Sequence, residues 1–131
     1  MQDHGTLHFE LINQILFVEG HGPWNKEAFS RFTANLILAK KQDQLPCNWA
    51  VLINLTGDPI CTPDAESMLI KHLNFEKKCG RIATAFVLTD STSPQLGKRY
   101  ITDIYEMVGE KCQFFNNNEQ AENWLKNILA Q

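Results

Sequence analysis

The spacing of apolar residues switches between two periods along this chain, and the switches predict its elements. Over residues 6–12, Leu7, Phe9 and Leu11 fall on one side and His8 and Glu10 on the other, the period of a half-buried strand. Asn13-Gln14 reads as a short turn, because Asn tolerates the positive φ that a tight hairpin needs. Ile15-Leu16-Phe17-Val18 is a continuous apolar run and predicts a more buried strand, broken by Gly20-His21-Gly22-Pro23. Phe29, Phe32 and Leu36 then recur at helical spacing, with Lys26, Arg31 and Lys40 mostly off that face, which predicts a helix over 24–42.

After Pro46, Trp49-Ala50-Val51-Leu52-Ile53 has no polar alternation, as expected of a strand covered on both faces. Thr62-Pro63-Asp64 is a helix start: a capping hydroxyl, a proline whose missing N–H costs nothing there, and an acid against the positive helix end. Ala65, Leu69 and Leu73 mark its inward face, His72 falls at the boundary between Met68 and Phe75, and Gly80 stops the helix. Residues 82–88 form the next buried strand. Ser93-Pro94 opens a helix with Leu96, Tyr100, Ile104 and Val108 inward, closed by Gly109. Residues 112–115 form a short last strand, and Asn117 or Asn118 caps a final helix with Ala121, Trp124, Leu125 and Ile128 inward. The order is β-β-α-β-α-β-α-β-α. It predicts one α/β domain over 1–131, with a mostly parallel five-stranded sheet and an N-terminal antiparallel hairpin.

Composition narrows the classes of function. The formal net charge is −3, which argues against the basic stripe that nucleic-acid binding requires. Lys40-Lys41 and Lys77-Lys78 fall near helix C-termini, where cations offset the dipole. No apolar run approaches the ~18 residues of a membrane span. Residues 1–5 are polar and unlike a signal peptide, so a cytoplasmic location is expected. The four cysteines form no Cys-x-x-Cys pair and are expected to stay thiols in a reducing compartment.

In an open α/β sheet, ligands bind beyond the carboxyl ends of the parallel strands. The loops there carry His21, Trp24, Asp58, Thr62, Asp90 and Ser91, with Lys98 and Arg99 one turn into the next helix. These eight form the candidate ligand or partner rim. The competing reading is that they are ordinary turn and capping residues, since turns favour the same types. Ser91, His21 and Asp58 make a catalytic triad on paper, but no nucleophile elbow or glycine-built oxyanion hole accompanies them. The His and Cys spacings match no metal site, and no glycine-rich phosphate loop is present. No catalytic residue, cofactor or metal is therefore assigned. Cys61 precedes a helix N-terminus, where the dipole can lower a thiol pKa, so redox activity stays open beside inert packing. Thr62 reads as a cap first and as a phosphate acceptor second. Trp24 reads as a lid or anchor, and Trp49 and Trp124 as core.

The whole order of elements, with Gly22-Pro23-Trp24-Asn25, then Trp49 to Leu55 leading to Thr62-Pro63-Asp64-Ala65, then Phe114-Phe115-Asn116-Asn117 and Glu119 to Leu125, resembles the STAS-like superfamily. More closely it resembles the small stand-alone SpoIIAA-like bacterial proteins, over nearly all of residues 5–128. The resemblance implies the anti-sigma-factor-antagonist fold. In antagonists of that type a serine at the start of the helix after the third strand is phosphorylated. Pro63 stands at that position here, with Thr62 beside it, so no functional residue carries over. SpoIIAA-like relatives are mostly of unassigned function, and a Sec14-type lipid-binding link is analogy of fold. The resemblance and the missing catalytic set point to a non-catalytic regulatory or protein-interaction module. The alternative is a carrier or sensor of an apolar or lipid-like small molecule, for which Phe29, Phe32, Phe75, Tyr100 and Tyr105 supply aromatic lining. A small hydrolase ranks last. A first strand at a sheet edge leaves a homodimer open.

Overall fold

The computed structural model describes residues 6–21, 30, 34, 37, 38, 41, 42 and 44–131. Strands β1 (Thr6–Ile12) and β2 (Ile15–His21) form the opening hairpin, antiparallel from Thr6↔His21 to Ile12↔Ile15. Asn13 sits in its turn at φ 58, the conformation for which Asn was expected there. Strands β3 (Trp49–Thr56), β4 (Arg81–Thr89) and β5 (Lys111–Phe115) each lie parallel to the strand before them. The five-stranded sheet has the order β1-β2-β3-β4-β5, which puts β1 at an edge. Helices α1 (Pro63–Lys78) and α2 (Pro94–Val108) connect the later strands, and α3 (Asn118–Leu129) follows β5. Ser30, Ala34, Ile37, Leu38 and Lys41 are helical, in keeping with the helix predicted over 24–42. Trp24, Phe29 and Phe32 lie outside the described residues. Among the described residues no helix is long and apolar enough to cross a membrane.

Because successive parallel strands are neighbours and crossovers are right-handed, the connecting helices share one face of the sheet. There α1 and α2 bury Leu69, Leu73, Ile101 and Ile104 against Leu16, Val51, Ile53, Leu55 and Phe86. The last helix crosses to the other face, where Ala121 and Leu125 sit on Ala50, Leu52, Ala83 and Ala85. Three alanines on that face of β3 and β4 remove bulk and let α3 lie close. Buried on both faces, β3 has the unbroken apolar run that the sequence shows.

Three details depart from the sequence pattern. Ile104 and Val108 are buried as expected, but Leu96, expected inward, is 67% exposed, and α2 also buries Gly97, Ile101 and Tyr105. A Cβ at Gly97 would come within 2.9 Å of the Pro59 ring, so the helix presents its one bare position there and its first turn leaves Leu96 outside. Trp124 is half-buried, its ring 5.5 Å from that of Phe115 at the core margin. Lys77, expected to offset its own helix dipole, reaches across and donates from Nζ to the C=O of Val108 at 2.6 Å and of Gly109 at 3.3 Å, at the end of α2.

A charged cluster is buried where β4 begins. The Arg81 guanidinium donates to Glu76 Oε1 (2.6 Å), Glu110 Oε2 (3.0 Å), Thr84 Oγ1 (2.7 Å) and Tyr105 Oη (2.8 Å). Thr84 Oγ1 also donates to Glu110 Oε2. The other oxygen of Glu110, Oε1, is buried with no hydrogen-bond partner among the described residues. Burial pushes the Glu76 carboxyl up, against the pull of Arg81. Burial also raises the Tyr105 phenol. Tyr105 packs edge-on to Phe86, with ring centroids 5.3 Å apart.

Candidate functional site

The register pairs His21 with Thr56 and Thr56 with Thr89, so β2, β3 and β4 end level with one another. The rim expected from the sequence is thus one end of the sheet. At its centre Asp58, in the loop after β3, reaches the loop after β4. Its Oδ1 accepts from Ser91 Oγ at 2.8 Å and from the Thr92 N–H at 2.9 Å, and its Oδ2 accepts from Thr92 Oγ1 at 2.8 Å. The Thr92 hydroxyl, then Ser91 and the Thr92 N–H, favour the charged form and hold the Asp58 carboxyl below its ordinary value. Gly57 adds a backbone bond, its N–H donating to the Thr89 C=O at 2.9 Å. Asp90, exposed, takes a left-handed φ of 54 at the tip of the second loop, a conformation Asp tolerates better than most side chains.

Of the eight expected rim residues, the structure joins Asp58 and Ser91. Ser91 gives its proton to Asp58, whereas a triad requires the carboxylate to orient His and His to take the Ser proton. His21 is exposed at the end of β2, on the far side of β3 from Ser91. Thr62 is the N-cap of α1, its Oγ1 accepting from the Ala65 N–H at 3.2 Å. Lys98 Nζ stands 5.8 Å from the centroid of the Phe114 ring on β5, and Lys98 and Arg99 line a shallow depression along α2 with Thr102 and Glu106. Trp24 lies outside the described residues. Among the described residues no three His, Cys, Asp or Glu side chains converge to hold a metal.

Cys61 is half-buried, and burial, with Glu66 nearby, pushes its thiol up to about 11. The helix dipole expected to lower it is outweighed. Glu66 instead accepts from Tyr100 Oη at 2.7 Å, which ties α1 to α2; burial and that bond raise the phenol.

Beside this polar clasp is an apolar groove of about 290 Å³ lined by Pro59, Ile60, Leu96, Gly97 and Tyr100. Ile60 is 53% exposed and Leu96 67% exposed. Sequence reading missed this feature. Leu96 was assigned inward by its spacing, and Ile60 sits in a loop where periodicity says nothing. The Gly97–Pro59 approach that turns Leu96 out is a tertiary contact with no local signal.

The chain superposes with a TM-score of 0.61 on an uncharacterized protein of the DUF3478 family, with a SpoIIAA-like fold, from Shewanella loihica PV-4. The match covers 95% of this chain and 98% of that one at 15% sequence identity. The fold is SpoIIAA-like. Identity this low speaks for the architecture alone. No family model and no curated protein matches the sequence.

Proposed function

We propose that this SpoIIAA-like chain is a non-catalytic protein-interaction module that receives a partner protein on the rim, at the groove between Ile60 and Leu96. The observation that carries this reading is a division of labour. The central polar groups of the rim satisfy one another, Asp58 with Ser91 and Thr92, and hold two loops in a fixed relation. The apolar groups of the same rim face water. Covering a Leu or Ile side chain fully contributes about 1.5–3 kcal/mol, so two adjacent ones on a pre-formed groove suit a small anchor for a partner side chain. The braced loops keep the ordering cost of binding low.

The test is affinity capture from an extract of the source cells with three immobilised baits: the wild-type chain, the double variant Ile60→Asp/Leu96→Asp, and Met107→Asp. Met107 is 70% exposed near the opposite end of α2. Circular dichroism confirms that all three baits are folded. A protein held by wild type and Met107→Asp and lost from the double variant supports the module. Capture of nothing, or capture indifferent to the double variant, sinks it.

A further inference from the structure

We propose that Cys47 and Cys79 are a reversible dithiol–disulfide pair, a modification site oxidised by hydrogen peroxide. The argument begins with register. Trp49 pairs with Arg81 as β3 and β4 start side by side. Just before those strands the Cys47 carbonyl lies against Gly80, the residue that follows Cys79 in the turn after α1. The two segments are still in contact there. The Trp49 N–H donates to the Gly80 C=O at 3.0 Å, and the Trp49 indole N–H donates to the Cys79 C=O at 3.0 Å. Gly80 has a φ of +107, and a Cβ on it would lie 2.0 Å from the Cys47 carbonyl oxygen, so the approach depends on glycine.

The chemistry distinguishes this pair from the other two cysteines. All four are free. Burial, with carboxylates nearby, pushes the Cys61 and Cys112 thiols up to about 11 each, which withholds the reactive thiolate. Cys47 is exposed and open to a small oxidant, and Cys79 is partly exposed. The Cys47 thiolate attacks one peroxide oxygen. The O–O bond breaks, an S–O bond forms, and the hydroxide that leaves becomes water on taking a proton. The Cys79 thiolate then attacks the Cys47 sulfur. The S–S bond forms, the S–O bond breaks, and a second water leaves. Two thiols are oxidised and one peroxide is reduced. The product staples the approach to β3 onto the turn between α1 and β4, at the opposite end of the sheet from the rim.

The experiment treats the reduced chain with equimolar hydrogen peroxide, counts free thiols, and maps peptides without reduction. The expected result is the loss of two thiols from four, with one intramolecular linked peptide pair holding Cys47 and Cys79, about 2 Da lighter than the two reduced peptides together. Dithiothreitol restores all four thiols. Cys47→Ser and Cys79→Ser each abolish the linked pair while their thermal midpoints in the reduced state stay at the wild-type value. Four surviving thiols, a link that involves Cys61 or Cys112, or a mainly intermolecular product overturns the proposal.

Discussion

Where β4 begins, Arg81 gathers Glu76, Thr84, Tyr105 and Glu110 out of water, drawing partners from α1, β4, α2 and the short link between α2 and β5. Where β3 and β4 end, Asp58 gathers Ser91 and Thr92 at the solvent boundary. Both clusters fasten connecting segments to the sheet with a single charged hub. They differ in what is lost when the hub goes. In the buried cluster a missing partner leaves charge in a medium that cannot solvate it, and water takes the vacated place at the rim. One end therefore fixes the fold, and the other end is free to vary its outer surface.

The largest expected effect follows from removing the buried hub. Arg81→Met leaves Glu76 and Glu110 without their shared cation and should cost about 3–5 kcal/mol in urea unfolding. The triple variant Glu76→Leu/Arg81→Met/Glu110→Leu should recover most of that loss, because a buried ion cluster replaced by apolar groups is often near neutral. A triple variant as unstable as Arg81→Met would mean that the cluster is held for its net attraction, and the contrast between the two ends would weaken.

A smaller change probes the same cluster without removing charge. Tyr105→Phe keeps the edge-on packing against Phe86 and removes only the oxygen that accepts from Arg81. The cost should be about 1–3 kcal/mol, that of a buried donor left unpaired. A loss under half a kilocalorie, read from the same unfolding curves, would place water or another acceptor at the guanidinium.

The two ends also differ in how far the sequence reveals them. Thr62-Pro63-Asp64 and Asn117 announce helix starts through chemistry confined to a few residues, and both caps stand in the structure. The hairpin and the all-apolar β3 were equally plain, since period and turn type are local. The Arg81 cluster was invisible. No local pattern marks Glu76, Arg81 or Glu110, Tyr105 reads only as aromatic lining, and it is the convergence of two helix ends on the start of β4 that makes them partners. At the rim, strand ends and loops named Asp58 and Ser91 correctly as neighbours. Lys98 and Arg99 lie one turn into α2 but do not line the groove, because sequence distance along α2 does not say which side of the helix faces it. Leu96 was misplaced for the same reason.

The smallest expected effect is also the one with the sharpest sign. The folded Asp58 carboxyl lies below its ordinary value of 3.8, so the stability it contributes is complete above that value and is lost as pH falls through the lowered one. Glu76 runs the other way. Its carboxyl is raised above 4.5, so its contribution is complete below that value and falls as pH rises through the raised one. Asp58→Asn should therefore flatten the acid side of a stability–pH curve, and Glu76→Gln the side above pH 4.5, with chemical denaturation at a series of pH values as the readout. Hydrogen exchange at neutral pH adds a local check: Asp58→Asn should speed exchange at the Thr92 amide, whose N–H it holds, and leave the amides of β4 unchanged. Faster exchange throughout β4 would show that the clasp supports the sheet as well as the loops, and the two ends would then be less distinct than their solvent exposure implies.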